Sequence, residues 1–375
     1  MKDVFFYFAL LFTGSLPFVV MFLNYSHYHD HRAHTLSRND DSDTVKEESS
    51  SRGERPEIAS DVGTNLTTYI RTKFGHSCYR EEAFDMWWER YYLDDELLVA
   101  DQAGCGKRLS DVFIIGAKKC ASDAVRDLLA IHPYVMFSRT RSAEIHFYDR
   151  HYKQGVDWYR NQFSYAREWQ LILEKTPQTI SFPEDAPRKM ATEANQNTKI
   201  VAILCDPVVR AMSDYEHELK VKWYKIFNPP YYRIIRKSFK LSVFNESGLV
   251  DAGNELINMG MYSKHMKRWL EYFPKTQIHL ADGNDFKLDP VSEIQKIETF
   301  LGLPNFVQQK HLDFTRSKFY CIIFPRLRCP QLRIKGREHP TLPDEDLAKL
   351  YDFYRPYDIE LQQLFNRTFS WISNE

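Results

Sequence analysis

The chain has no excess of charge of either sign. Its 375 residues hold 50 Lys and Arg against 51 Asp and Glu, so affinity for a polyanion has to come from local clusters of basic groups. No CxxC pair occurs among its six cysteines, Cys78, Cys105, Cys120, Cys205, Cys321 and Cys329. That spacing argues against a structural zinc site, and no metal is expected. There is no internal repeat, which excludes a solenoid, and no low-complexity tract. What is present is an ordinary globular balance. Hydrophobic residues make up 43% and aromatics 15%, enough for one large domain with additional segments and unlike a globally disordered chain.

Val4 to Leu23 is an uninterrupted uncharged run, VFFYFALLFTGSLPFVVMFL. About 20 apolar residues suffice for a helix to cross a bilayer. The run is long for the apolar part of a cleaved signal peptide. The expectation is a signal anchor over 4–23 behind a cytoplasmic tail of residues 1–3, with the rest of the chain in a lumen. A cleaved signal is the alternative. From 24 to about 75 the chain is polar and charged, and it reads as a stem. Residues 78–106 are richer in aromatics, among them Trp87, Trp88, Tyr91 and Tyr92, and read as an extension of the domain. The expected division is therefore stem and extension over 24–106 and one domain over 107–375. Asn65, Asn245 and Asn366 each open an N-x-[ST] sequon, as suits a luminal chain. Asn24 opens a fourth that abuts the span. In a secretory compartment Cys321 and Cys329, eight residues apart, are expected to form a disulfide. Cys78 with Cys105 is a further candidate pair.

From Lys107 onward strands alternate with helices. DVFIIG (111–116), KIVAIL (199–204) and QIHLAD (277–282) are short apolar runs of strand type. Helical patterns follow them at 121–131, from Asp206 through the Leu of DPVVRAMSDYEHEL, and at about 290–301. The pattern predicts an α/β domain around a mostly parallel sheet, in which ligands sit beyond the carboxyl ends of the strands. The first strand-to-helix junction, Gly116-Ala117-Lys118-Lys119-Cys120-Ala121-Ser122, offers amides at a helix start, lysines and a hydroxyl. It lacks the GxxxxGK[ST] spacing and is not a Walker A loop. Two readings stay open on local physics alone: an anion cradle, or a turn with solvated lysines.

Three further segments are Ala143-Glu144-Ile145-His146-Phe147-Tyr148-Asp149, Glu174-Lys175-Thr176-Pro177, and the run from Asp206-Pro207 through Ser213-Asp214-Tyr215. Together with the first junction, and with MYSKHMKRWLEYFP, DPVSEIQKIETFLGLP, KFYCI, KGREHP and RTFSW nearer the C-terminus, the chain from 107 to 375 resembles the heparan sulfate glucosamine 3-O-sulfotransferases. The resemblance implies a P-loop-kinase-like sulfotransferase domain and a Golgi membrane protein of single-pass type II. It implies 3′-phosphoadenosine 5′-phosphosulfate as sulfuryl donor and heparan sulfate as acceptor, with no nucleic-acid partner. Residue by residue it implies Glu144 as the base, with His146 and Asp149 in support. Lys119 would hold the 5′-phosphosulfate, Lys175 would lie near the transferring group, and Ser122 would keep a donor-loop hydroxyl. Ser213 would bind the 3′-phosphate, and Lys335, Gly336 and Arg337 would form a loop over the donor. Each of these side chains alone reads as an ordinary loop, helix or strand-end residue. A sulfated, carboxylated acceptor also calls for basic side chains along its groove. Lys153, Lys175, Lys264, Lys267, Arg268 and Arg333 are the candidates.

Two departures stand out. The family has arginine before the Asp-Pro, gripping the donor's 3′-phosphate, where this chain has Cys205. A lost charge-assisted contact of roughly 1.5–3 kcal/mol corresponds to about ten- to a hundredfold in donor affinity. The family's GTR triplet reads Ala121-Ser122-Asp123 here, placing a negative charge where the family has a positive one. Besides an active 3-O-sulfotransferase, two alternatives are a degenerate member that binds heparan sulfate with little or no catalysis and a sulfotransferase acting on another glycan.

Overall fold

Five short apolar runs build one parallel sheet: β1 Val112–Gly116, β2 Val135–Phe137, β3 Leu171–Lys175, β4 Lys199–Leu204 and β5 Ile278–Asp282. The computed structural model describes residues 55–90, 93, 95–99, 103–138, 144–220, 238–316, 320–329 and 338–372. The strands lie in the order β2-β3-β1-β4-β5, every neighbouring pair parallel. Helices cover both faces, which is why the strands are apolar throughout and do not alternate. In β1, Val112, Phe113, Ile114 and Ile115 are all buried.

The helices that shape the site are α1 Ser122–Ala130, α2 Pro207–Lys220, α3 Tyr262–Leu270, α4 Pro290–Phe300 and α5 Asp344–Phe365. α4 starts where a helix should. Pro290 fills its first position, and the Asp289 side chain accepts from the Ser292 amide at 3.1 Å, satisfying a donor the helix cannot. α5 ends on Asn366 in the left-handed conformation, φ 48°, which asparagine tolerates better than most residues.

The strand order fixes where a ligand can enter. After β1 the chain builds β2 and β3 on one side, then crosses to build β4 and β5 on the other. The carboxyl ends of β1 and β4 therefore diverge at a topological switch point, where open α/β sheets form their crevice. α1 starts just beyond β1 and α2 just beyond β4, so two helix N-termini converge there.

Residues 55–106 pack on the same core as the sheet. Tyr69, Phe74, Phe84 and Trp87 are buried with it, and the Lys73 ammonium donates to the carbonyls of Ala130, His132 and Val135 at 2.8–2.9 Å. A second apolar cluster joins α2 and α5 through Val208, Ala211, Met212, Leu350 and Tyr354. All six cysteines are paired, as Cys78–Cys105, Cys120–Cys205 and Cys321–Cys329. Among the described residues no helix is long and apolar enough to cross a membrane. The expected anchor at 4–23 lies outside the described residues, as do Tyr91, Tyr92 and Asn24.

Candidate functional site

The first junction is built by sterics. A Cβ on Gly116 would fall 2.6 Å from Cγ2 of Ile180 and 2.9 Å from the Pro177 carbonyl oxygen, so β1 must end in glycine. The loop then runs with Lys119 and Ala121 at positive φ, 77° and 73°, a conformation that disfavours a side chain bearing Cβ. Ala121 caps α1 and contributes no side-chain hydrogen bond. The helix thus opens without a polar side chain of its own over its first amides, as an anion site at a helix N-terminus requires. Lys118 reaches to α2. Its ammonium pairs with Asp214 at 2.8 Å and Glu218 at 2.5 Å on α2. Burial alone would raise the Asp214 carboxyl, but Lys118 and Arg210 outweigh it and hold it at about 2. Ser122 is buried, and Ser213 sits half-buried in the second turn of α2.

Beside this loop runs a chain of alternating charge. The Lys175 side chain, fully buried at the end of β3, donates to Asp123 Oδ1 at 2.6 Å and also to Glu144 Oε1. Glu144 Oε2 faces His146 Nε2 at 3.2 Å, and His146 Nδ1 faces Asp149 Oδ2 at 2.8 Å. A neutral imidazole could donate from only one nitrogen, so a ring with a carboxylate at both is an imidazolium. Burial works against that charge, but the hydrogen bonds to Asp149 and Glu144 prevail and raise the His146 pKa to about 9. Burial pushes Glu144 up, and the hydrogen bonds from His146 and Lys175 push it further down. It ends below the usual carboxylate range, so the group is held ionised. Behind this chain lies Glu174, which alternates with Lys175 on β3 and so points to the opposite face of the sheet. Burial raises it to about 7 despite hydrogen bonds from Tyr159 and Thr176. Two nearby carboxyl groups are thus driven in opposite directions, a pattern of acid–base sites.

The structure therefore brings Lys175, Glu144, His146 and Asp149 into one contact chain and sets Lys119 in the adjoining loop and Ser122 at the first position of α1. The basic residues of α3 do not touch this chain. Lys264 donates to Asn258 at 3.0 Å, Lys267 pairs with Glu360 of α5, and Arg268 donates to the Ser181 carbonyl at 3.1 Å. Lys153 is exposed in the turn Tyr152–Gln154. Arg333, Lys335, Gly336 and Arg337 lie outside the described residues. Asn65, Asn245 and Asn366 are exposed.

Two features differ from the sequence reading. Cys205, where the resemblance calls for an arginine, is bonded to Cys120, across the β1–β4 crevice. Asp123, a negative charge where the resemblance calls for a positive one, is tied to Lys175 and lies 3.5 Å from Arg126. Cysteine arithmetic held a signal for the first. Once Cys78–Cys105 and Cys321–Cys329 are paired, the two cysteines left over sit at the ends of two strands. Nothing local marks Asp123 as a partner of a lysine 52 positions away. Among the described residues no cluster of His, Cys, Asp or Glu could hold a metal ion.

The sulfotransferase domain family model matches residues 109–322. Heparan sulfate glucosamine 3-O-sulfotransferase 3A1 of Mus musculus is 34% identical over 275 residues, 71% of this chain and 65% of that protein. Heparan sulfate glucosamine 3-O-sulfotransferase 5 of Homo sapiens is 33% identical over 269 residues, 71% of this chain and 75% of its own length. Among solved structures, the sulfotransferase from Alicyclobacillus acidocaldarius shares the fold at a TM-score of 0.50 and 20% identity, over 70% of this chain and 98% of that one. The chain belongs to the sulfotransferase family, alongside the heparan sulfate glucosamine 3-O-sulfotransferases.

Proposed function

We propose that this chain transfers a sulfuryl group from 3′-phosphoadenosine 5′-phosphosulfate to the 3-hydroxyl of glucosamine in heparan sulfate. The observation that carries the reading is Glu144, an ionised carboxylate held between Lys175 and the His146 imidazolium beside two converging helix N-termini. The residues fit the donor in kind. The loop supplies Lys119 and an α1 N-terminus that Ala121 leaves without a side-chain cap, and such a terminus favours a phosphate or sulfate.

Bound there, the donor would supply an activated sulfuryl group and depart as the 3′,5′-bisphosphate. Glu144 takes the proton from the acceptor hydroxyl as its oxygen forms the new bond to sulfur. Lys119 and the loop amides balance the negative charge that grows on the departing phosphate as its bond to sulfur breaks. Lys175, between the base and the loop, favours charge on both sides. Asp149 holds the His146 ring, which keeps Glu144 ionised and aimed.

Glu144→Gln keeps the shape and removes the base. Transfer of radiolabelled sulfate to heparan sulfate should fall about a hundredfold or more, while the variant unfolds at the wild-type temperature. Transfer at the wild-type rate would remove Glu144 from the role. A second reading, a heparan sulfate binder with little catalysis, is favoured by the absence of a guanidinium at Cys205. It wins if wild type retains heparan sulfate but transfers nothing at saturating donor.

We also propose a luminal location behind a membrane anchor at 4–23, in the Golgi. Three disulfides suit an oxidising compartment, and the three exposed sequon asparagines suit glycosylation. A glycosidase-induced loss of mass, in a chain protected from protease in sealed vesicles, would support both.

A further inference from the structure

We propose that the Cys120–Cys205 disulfide is the positioning element of the donor loop, setting Lys119 and the α1 N-terminus in place without the arginine that the resemblance assigns to position 205. The inference rests on the donor-site reading above and concerns how this chain keeps that site in register.

The bond joins two places that have reason to part. Cys120 lies two residues before α1 and Cys205 two residues before α2, at the carboxyl ends of neighbouring strands. Both helices present the positive ends of their dipoles to the same crevice, and like partial charges repel when no anion lies between them. A side-chain carboxylate already answers at α2, where Asp206 accepts from the amides of Val208 at 2.8 Å and Val209 at 3.0 Å. The α1 cap makes no such hydrogen bond, and the Asp123 carboxylate of its first turn is drawn to Lys175. Between the strand and α1, Lys119 and Ala121 hold left-handed conformations that a free loop would leave.

The disulfide opposes both tendencies. It fixes the two Cα atoms 5.4 Å apart, immediately after Lys119 and immediately before Ala121. Its surroundings leave it little play. The Tyr262 hydroxyl donates to the Cys205 carbonyl at 2.8 Å and lies 3.6 Å from Cys120 Sγ. On the other side Gly283 is pressed close. A Cβ there would stand 2.8 Å from the Leu204 carbonyl oxygen, 3.0 Å from the Cys205 Cβ and 3.3 Å from the Cys120 carbonyl oxygen. Lys118 also ties the loop to α2 through Asp214 and Glu218, but a four-carbon side chain follows a moving backbone, whereas a disulfide does not. An arginine at 205 would act only once a phosphate had arrived. The disulfide orders the loop beforehand, and preorganisation of this kind lowers the cost of binding.

Peptide mapping of the unreduced protein, purified from membranes, should find Cys120 joined to Cys205. An active enzyme with both as free thiols overturns the proposal. The paired variant Cys120→Ser/Cys205→Ser then isolates positioning from mere stability. Its donor KM should rise about tenfold or more, the scale expected when binding groups lose their alignment, with the heparan sulfate KM unchanged. Cys120→Ser/Cys205→Arg, which installs the arginine that the resemblance assigns to position 205, should bring the donor KM back without any disulfide. A serine pair with the wild-type donor KM overturns the positioning role and leaves the site reading intact. A wild type that does not bind adenosine 3′,5′-bisphosphate at all sinks both. If the serine pair does not fold, hydrogen exchange on wild type decides. Amides of residues 117–123 protected as deeply as β1 support the proposal, and rapid exchange there overturns it.

Discussion

At the scale of single residues, the alternating chain from Asp123 to Asp149 makes the site depend on pH in a definite direction. The His146 pKa is raised from its ordinary value near 6.5 to about 9. A raised group contributes stability that is full below its unfolded value and is lost as pH climbs through the folded one. Wild-type stability should therefore decline between about pH 7 and 10, by on the order of 2–3 kcal/mol. His146→Gln should flatten that slope, as read by chemical denaturation across the range; an unchanged slope would place the titration elsewhere. Asp123 acts in the other direction, through the donor. Its carboxylate holds Lys175 and adds negative charge next to the loop. Asp123→Ala should lower the donor KM by about two- to fivefold, the worth of roughly 0.5–1 kcal/mol for a half-exposed charge. A higher KM would mean that its grip on Lys175 matters more than its repulsion of the donor.

At the scale of elements, the site is held by how β1 ends. Gly116 has no room for a methyl group, with Ile180 and the Pro177 carbonyl both inside 3 Å of where it would sit. Gly116→Ala should cost about 1–3 kcal/mol of stability and disturb Lys119, which follows three residues later. Denaturation and donor binding should fall together, and a stable variant with weak binding would show that the loop moves before the sheet does. The same elements divide what the sequence discloses from what it hides. Val112–Gly116, Lys199–Leu204 and Ile278–Asp282 stand out as apolar runs because both faces of each are covered, and α1, α2 and α4 follow them where the 3.6-residue pattern predicts. β2, only Val135–Phe137, is too short to carry a pattern. Glu144, His146 and Asp149 were found through resemblance, their motif being silent on its own. The pairing of Cys120 with Cys205 spans 85 positions and follows only from β1 and β4 being neighbours, which depends on strand order and not on local composition. The bond from Asp123 to Lys175 needs the same tertiary information.

At the scale of the whole molecule, the segment before Lys107, read from the sequence as stem and extension, shares its packing with the domain. Tyr69 lies 5.3 Å edge-on from Phe324 and 6.1 Å from Phe306, Arg326 covers the ring of Phe84 at 4.7 Å, and Arg328 covers that of Trp88 at 4.3 Å. On the sheet side, Lys73 is buried with three carbonyls as its hydrogen-bond partners, at the end of α1 and the start of β2. Burial lowers its pKa well below the ordinary lysine value, and the ring of Trp87 lies 4.6 Å from its ammonium. Lys73→Met would leave those carbonyls without their donor. Leaving buried acceptors without their donor typically costs about 1–3 kcal/mol, so this variant should be markedly less stable. A chain cut at Lys107 goes further, since it exposes the apolar surface that Tyr69, Phe74, Phe84 and Trp87 cover. Placed behind a cleavable secretion signal, it should aggregate or be retained in the cell, whereas a chain starting at Ser51 behind the same signal should be secreted folded. Secretion of both in equal yield, with equal unfolding temperatures, would show that residues 55–106 merely rest on a domain that is complete without them. The expected outcome makes that segment part of the fold that holds α1, and through α1 the loop carrying Lys119, in place.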